Sequence, residues 1–200
     1  MTIEKIKPNQ RLIVAISGAS GAIYGIRALE ALRRAGVESH LVISKAAALS
    51  LGAELDMSQS DVHALADIVY KPADIGAAIA SGSFRTLGML VAPCSIKTLG
   101  EITTGVTASL ISRAADVCLK ERRRLVLMVR ETPLHLGHLR SMTAATEMGA
   151  IIAPPMPAFY TRPKSLDDLV EQNIARVLDL FNIDIPFKRW GEDIGPVMND

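Results

Sequence analysis

Arg11-Leu-Ile-Val-Ala-Ile-Ser-Gly-Ala-Ser-Gly-Ala22 decides the fold. An apolar run ends in two glycines separated by small residues. An Ala/Leu/Arg-rich pattern with helical spacing then begins, from Ile23 to about Arg34. This reads as strand, tight turn, helix, the first crossover of a doubly wound sheet. The turn presents backbone N–H groups at a helix N-terminus, where an anion is favoured. Gly18 and Gly21 let the backbone approach a ligand closely, and Ser17 and Ser20 can add hydroxyl donors. A phosphate-bearing ligand is the natural expectation, although small residues at such a turn also serve packing alone. The spacing is Gly18-x-x-Gly21, not the G-x-G-x-x-G dinucleotide fingerprint. The second strand ends in Ser44-Lys45, without the acidic residue that would hold an adenosine ribose.

Beyond that segment, strand-like runs occur at Arg11–Ser17, His40–Ser44, Ile68–Tyr70, Met89–Ala92, Leu125–Arg130 and Ala150–Ala153. Helical patterns lie at Ile23–Arg34, Lys45–Leu55, Ala73–Ser81, Ser95–Thr103, Ala108–Glu121, Leu136–Met148 and Leu166–Phe181. The alternation predicts a Rossmann-like, three-layer α/β fold with a mainly parallel sheet and helices on both faces. Ser165-Leu-Asp-Asp168 is spaced as a capping box for the last long helix. With 200 residues and no linker, one domain spanning 1–200 is expected, with 183–200 forming a tail or lid over its body.

Composition excludes several classes. Lys and Arg total 22 and Asp and Glu 21, so no overall positive field exists to bind nucleic acid. No run approaches a membrane span, and the first residues lack the apolar core of a signal peptide. Cys94 and Cys118 lack metal-ligand spacing and read as buried free thiols, which fits a cytoplasmic protein. The chain is 49% hydrophobic but only 4% aromatic. Its many alanines permit close helix packing, within a subunit or between copies, and a homo-oligomer is expected. His135 and His138 are tempting as metal ligands, but no third ligand has suitable spacing, and no metal is expected.

In an open parallel sheet, ligands bind beyond the carboxyl ends of the strands. The residues there are Gly18, Ala19, Ser20 and Gly21, then Ser44 and Lys45, then Pro93-Cys-Ser-Ile-Lys-Thr98. Arg130 and Glu131 follow the fifth run, and Pro154 to Tyr160 the sixth. Hydroxyls, a lysine, an arginine and an aromatic pair suit a phosphate joined to a flat ring system.

Ser17-Gly-Ala-Ser-Gly-Ala22, Ser44-Lys45, Pro93-Cys-Ser-Ile-Lys-Thr98, Arg113-Ala-Ala-Asp-Val117, Lys120-Glu-Arg-Arg123, Arg130-Glu131, Ala158-Phe-Tyr160 and Arg189-Trp-Gly191 occur in one order. In that order, from about residue 11 to 191, the sequence resembles the UbiX-type flavin prenyltransferases, whose fold is that of the flavin-binding cysteine decarboxylases. The resemblance implies transfer of a dimethylallyl group from dimethylallyl monophosphate to N5 and C6 of reduced FMN, without a metal. The product, prenylated FMN, would serve a UbiD-type decarboxylase, and the assembly would be a dodecamer. It also implies that FMN is held by Gly18, Ala19, Ser20, Ser44, Ser95, Ile96, Lys97, Thr98 and Arg130. Lys120, Tyr160 and Arg176 would hold the prenyl phosphate, with Ser20, Glu54, Arg113, Glu131 and Trp190 as further active-site residues. Arg124 departs from the family, in which proline is common there.

The chemistry asks for such residues. Breaking an allylic C–O bond leaves a cation and a phosphate, so without a metal the leaving group needs fixed cations and donors. The cation needs shielding from water and a π-face. Five of the eight aromatic side chains (Phe159, Tyr160, Phe181, Phe187 and Trp190) fall after Ala158, where a closing tail would bring them. Ser20, Glu54 or the departing phosphate could take the final proton. Without the family, Arg113 and Lys120 would read equally as a solvated or subunit-bridging face, Glu54 as an exposed helix end and Trp190 as packing.

Three rival functions stand beside this one. A cysteine decarboxylase would carry an asparagine in a Pro-Ala-Met-Asn clamp where this chain has Pro155-Met-Pro157. A nicotinamide-dependent reductase would want the missing fingerprint. A non-catalytic flavin carrier would have no use for cations beyond those FMN needs.

Overall fold

The computed structural model describes residues 10–195. Six strands form one sheet in the order β3-β2-β1-β4-β5-β6. They are β1 (Arg11–Ile16), β2 (Glu38–Ile43), β3 (Ile68–Tyr70), β4 (Gly88–Cys94), β5 (Arg124–Val129) and β6 (Ile151–Ile152). Every pairing is parallel. The chain runs outward from β1 on one side, returns to β4 beside it, then runs outward on the other. The switch between β1 and β4 opens a crevice at their carboxyl ends.

Parallel strands buried on both faces read as near-continuous apolar runs. Alternate β1 residues accordingly enter two separate cores. Leu12, Val14 and Ile16 pack beneath α1 (Ala22–Ala35) and α7 (Leu166–Asp179), with α2 (Lys45–Glu54) and α3 (Gln59–His63) on the same side. Ile13 and Ala15 pack beneath α4 (Ile96–Thr104), α5 (Leu110–Lys120) and α6 (Leu136–Glu147). Alanine lets the helices sit close. At Gly25 even a methyl group is excluded: a Cβ there would lie 2.5 Å from the Ala92 carbonyl oxygen and 2.6 Å from Ile16 Cγ1.

All six expected strands are present, and six of the seven expected helices. The Ala73–Ser81 helix is absent: only a 3-10 turn at Ala78–Ala80 forms. Gly76 and Gly82 bracket a stretch too short to repay helix nucleation. The short α3 was not anticipated; its signal is a capping box in which Ser58 and Asp61 exchange hydrogen bonds. The expected box at Ser165 and Asp168 forms, and Asp168 also accepts from the Lys164 N–H. Both cysteines are buried and free, and burial pushes each thiol up to about 12. Among the described residues no helix is long and apolar enough to cross a membrane. The first nine residues, and with them the signal-peptide expectation, lie outside the described residues, as do the last five of the tail.

On β2, His40 is 2% exposed, lying between Tyr70 Oη at 3.0 Å and Glu38 Oε1 at 2.8 Å, with Phe84 against its ring. Burial lowers its pKa below 6.5, opposed by Glu38 and Asp67 and reinforced by Arg11. The folded chain therefore binds this proton less readily than the unfolded one. Its contribution to stability should be complete above pH 6.5 and decline as the pH falls below that value. Urea midpoints across pH 5 to 8 check this, and His40→Gln should flatten the slope on the order of its linkage. Gly25→Ala should cost about 1–3 kcal/mol through overpacking, read from the same curves.

Candidate functional site

Ser17, 1% exposed, directly follows β1. Its hydroxyl donates to the Pro93 carbonyl at 2.9 Å and accepts from the Ser95 N–H at 2.8 Å; its own N–H donates to the same carbonyl at 3.2 Å. The side chain expected to face a ligand is instead a clasp across the switch point. It fixes the Gly18–Gly21 turn against the start of α4.

Around that clasp lies a cleft of about 530 Å³. All nine residues expected to hold a flavin nucleotide line it: Gly18, Ala19, Ser20, Ser44, Ser95, Ile96, Lys97, Thr98 and Arg130. Glu131 lines it too, its carboxylate accepting from the Thr132 N–H at 2.9 Å. The sequence reading missed Pro72, Ala73, Glu101, Ala108, Ser109 and Ile111. Pro72 and Ala73 follow β3, the one strand end that reading passed over, whereas Glu101 and Ile111 lie on α4 and α5 and Ala108 and Ser109 just before α5, where the strand-end rule does not reach. The absence of a helix over Ala73 is what lets that loop serve as a wall.

Helix termini supply the donors. Ser44 caps α2, accepting from the Ala47 N–H at 3.0 Å. Ser95 caps α4, accepting from Thr98 N–H at 3.3 Å and donating to Thr98 Oγ1 at 3.1 Å. The N–H groups of Lys45, Ala46, Ile96 and Lys97, first in their helices, have no intrahelical acceptor. Two helix N-termini thus open on the cleft. The third, that of α1, was expected to receive the anion. It is occupied by Glu54, whose carboxylate accepts from the Gly21 and Ala22 N–H groups at 2.8 and 3.3 Å. A methyl at Gly18 would overlap the Ala46 side chain, so the turn and α2 touch only because the residue is glycine.

Six expected site residues do not line this cleft: Glu54 at the α1 N-terminus, and Arg113, Lys120, Arg176, Tyr160 and Trp190. Arg113 and Lys120 lie on α5, paired with Asp116 at 2.7 Å and Glu121 at 2.5 Å. Ten residues of helix separate Lys120 from the cleft end of α5, about 15 Å along the axis. Arg176, Tyr160 and Trp190 form another patch. Arg176 meets Asp179 at 3.3 Å, and Arg189 of the tail grips the same carboxylate at 2.7 and 3.2 Å. The adjoining Trp190 meets Tyr160 edge to face at 5.5 Å. Phe159, Tyr160 and Trp190 are exposed rather than folded over the cleft. No group of three or more potential metal ligands converges among the described residues, and the His135 and His138 ring centroids lie 3.6 Å apart with the rings tilted by 30°.

Sheet order and cleft define a doubly wound α/β protein with an anion-binding crevice at its topological switch point. Residues 2–177 match the Flavoprotein family, and the chain is 60% identical over 185 residues to a flavin prenyltransferase UbiX of Escherichia coli, covering 90% of this chain and 98% of that one. The chain belongs to the UbiX-type flavin prenyltransferase family. Among solved structures it is similar to AnUbiX (PadA1) in complex with FMN and dimethylallyl pyrophosphate. That match has a TM-score of 0.88 and 51% identity, over 92% of this chain and 100% of that one. It is also similar to a dodecameric FMN-dependent UbiX-like decarboxylase from Escherichia coli, with a TM-score of 0.87 and 51% identity over 90% and 98% of the two chains.

Ser17→Ala would remove a buried donor and leave the Ser95 N–H without its acceptor. We expect a stability loss of about 1–3 kcal/mol, read by urea unfolding. Flavin retention on gel filtration should fall with it.

Proposed function

We propose that this protein transfers the dimethylallyl group of dimethylallyl monophosphate to N5 and C6 of reduced FMN, without a metal, making prenylated FMN for a UbiD-type decarboxylase. The observation that carries the reading is the pairing of a cleft bearing two open helix N-termini with separate cationic patches that FMN does not need. The cleft's donor set fits a flavin mononucleotide. Helix N-termini at Ser44 and Ser95, with Arg130 beside them, match a phosphate dianion. Backbone at Gly18 and Ala19 and the side chains of Ile96 and Thr98 suit a flat ring, and the volume is that of a cofactor site.

In this reading Lys120, Arg176 and the Tyr160 hydroxyl hold the prenyl phosphate and stabilise it as it leaves. Arg113 and Glu131 position that end of the site. Trp190 and Tyr160 shield the allylic cation from water and offer it a π-face. Glu54, fixed beside Ser20 by the Gly21 N–H, is the chain's best-placed proton acceptor once the second bond forms.

The patches on α5 and on α7 with the tail cannot serve the cleft of their own chain as they stand. Assembly of copies answers this, and a dodecamer is the form described for a similar protein. Neighbouring copies would bring Lys120 and the Arg176–Tyr160–Trp190 patch to each cleft. Leu49, Met156, Phe159 and Leu166, all more than 70% exposed or close to it, supply apolar surface for such contacts. Residues 1–200 act as one domain in this assembly, with 183–200 as its tail or lid, in the cytoplasm.

Anaerobic incubation with reduced FMN and dimethylallyl monophosphate, followed by mass spectrometry of the flavin, tests the reading. A gain of one C5 unit that depends on the protein is expected; bound but unchanged FMN would overturn it. Arg176→Ala should retain FMN and lose at least about 100-fold in prenyl transfer. A flavin carrier would be unaffected by that substitution.

A further inference from the structure

A second cleft, somewhat larger than the one at the switch point, lies elsewhere on the chain. About 580 Å³ lie between α1, the segment after Tyr160, α7 and the tail. Arg34 from the end of α1, Arg162 and Lys164 from the segment after Tyr160, and Lys188 from the tail line it. None of these four cations forms an ion pair among the described residues. The acidic residues lining it are Asp168, already engaged by the backbone N–H groups of Lys164 and Ser165, and Glu171.

Two details show a site that lacks an acceptor. Arg27 lines the wall, with its terminal nitrogens bound to Glu30 at 2.8 Å and Asp167 at 3.1 Å. Its Nε is buried and has no hydrogen-bond partner. A buried donor left unmade is costly, and an anion in the cleft would supply its acceptor. Arg162, moreover, sits in the left-handed region at φ 53°, a conformation uncommon for a residue with a side chain. It is followed at once by Pro163, so the chain holds this guanidinium at the rim by a constrained turn. The floor is apolar: Ala31, Ile174, Ala175 and Ile185, with the Phe187 ring, itself covered by the Arg189 guanidinium at 4.1 Å.

The geometry points to a second ligand site in this cleft, for a phosphate monoester carrying an apolar chain: phosphate at the cationic rim, chain along the floor. The volume exceeds what a five-carbon unit needs, so a longer prenyl chain fits the floor better than a dimethylallyl group. The site is separate from the Arg176–Tyr160–Trp190 patch, because neither Arg176, Tyr160 nor Trp190 lines it. A bare anion would leave the floor unused, and an acidic peptide would leave it uncovered.

The probe is radiolabelled geranyl monophosphate in equilibrium dialysis against the full chain saturated with oxidised FMN. The comparison variants are Arg162→Gln, the double variant Arg34→Gln/Lys188→Gln, and Arg176→Ala. The first two should each weaken binding on the order of tenfold per cation removed, while prenyl transfer to FMN remains at the parent level, which also reports that they fold. Arg176→Ala should leave this binding unchanged. Equal affinity in parent and rim variants would overturn the assignment, as would loss confined to Arg176→Ala. Two competition outcomes would also overturn it. Inorganic phosphate displacing the probe at equal concentration would mean the floor contributes nothing. Displacement by hexaglutamate at lower concentration than unlabelled geranyl monophosphate would make the cleft a peptide site.

Discussion

Everything at the carboxyl end of the sheet depends on the Ser17 hydroxyl. It sits where the chain's two outward runs part, and it bonds both the Pro93 carbonyl and the Ser95 N–H. Strand pairing stops short of this point: β1 and β4 are in register only through Ala15 and Val91. The serine continues the connection where the ladder cannot. Because it is buried, the hydrogen bonds are not exchanged with water, and the Gly18–Gly21 turn and the α4 N-terminus keep one relative position. A cleft assembled from two loops thereby behaves as one preformed surface.

That surface partitions three helix N-termini by charge. Each would attract an anion, and Glu54 satisfies one of them from within the chain. The other two, at Ser44 and Ser95, stay directed at the cleft. The result is a polar gradient, with a fixed carboxylate on the α1 side and cation-like helix ends on the α2 and α4 sides.

Most of the fold was legible because parallel strands buried on both faces read as near-continuous apolar runs, as β1, β4 and β5 do, while the less buried edge strands β3 and β6 showed only short Ile-rich runs. The stretch after Tyr70 misled because alanines at helical spacing look the same whether or not glycines leave room for a helix. The cleft was legible at Ser44, Ser95 and Arg130, since each follows a strand directly. Walls supplied by helices and by the turn before α5, such as Glu101, Ala108 and Ile111, carry no such signal. Glu54 could be placed only by the family resemblance, because its partners are 32 and 33 residues away in sequence. Neither pattern nor spacing could show that Ser17 faces inward: the serine is equally good as a ligand donor until the position of Pro93 is known.

The physical difficulty that remains is separation. Prenyl-phosphate chemistry needs cations at the flavin, yet Lys120 lies a helix length from the cleft and Arg176 is tied to Asp179 beside the tail. Assembly of copies is the proposed resolution, and mixed assemblies test it most directly. Ser44→Asp keeps an effective N-cap but repels a phosphate from the cleft; Arg176→Ala removes the leaving-group cation. Each alone should be inactive in prenyl transfer. Reassembled together, they should recover a substantial fraction of the parental rate, because some clefts then meet an intact neighbour. Mixtures as inactive as either parent would contradict the shared-site account.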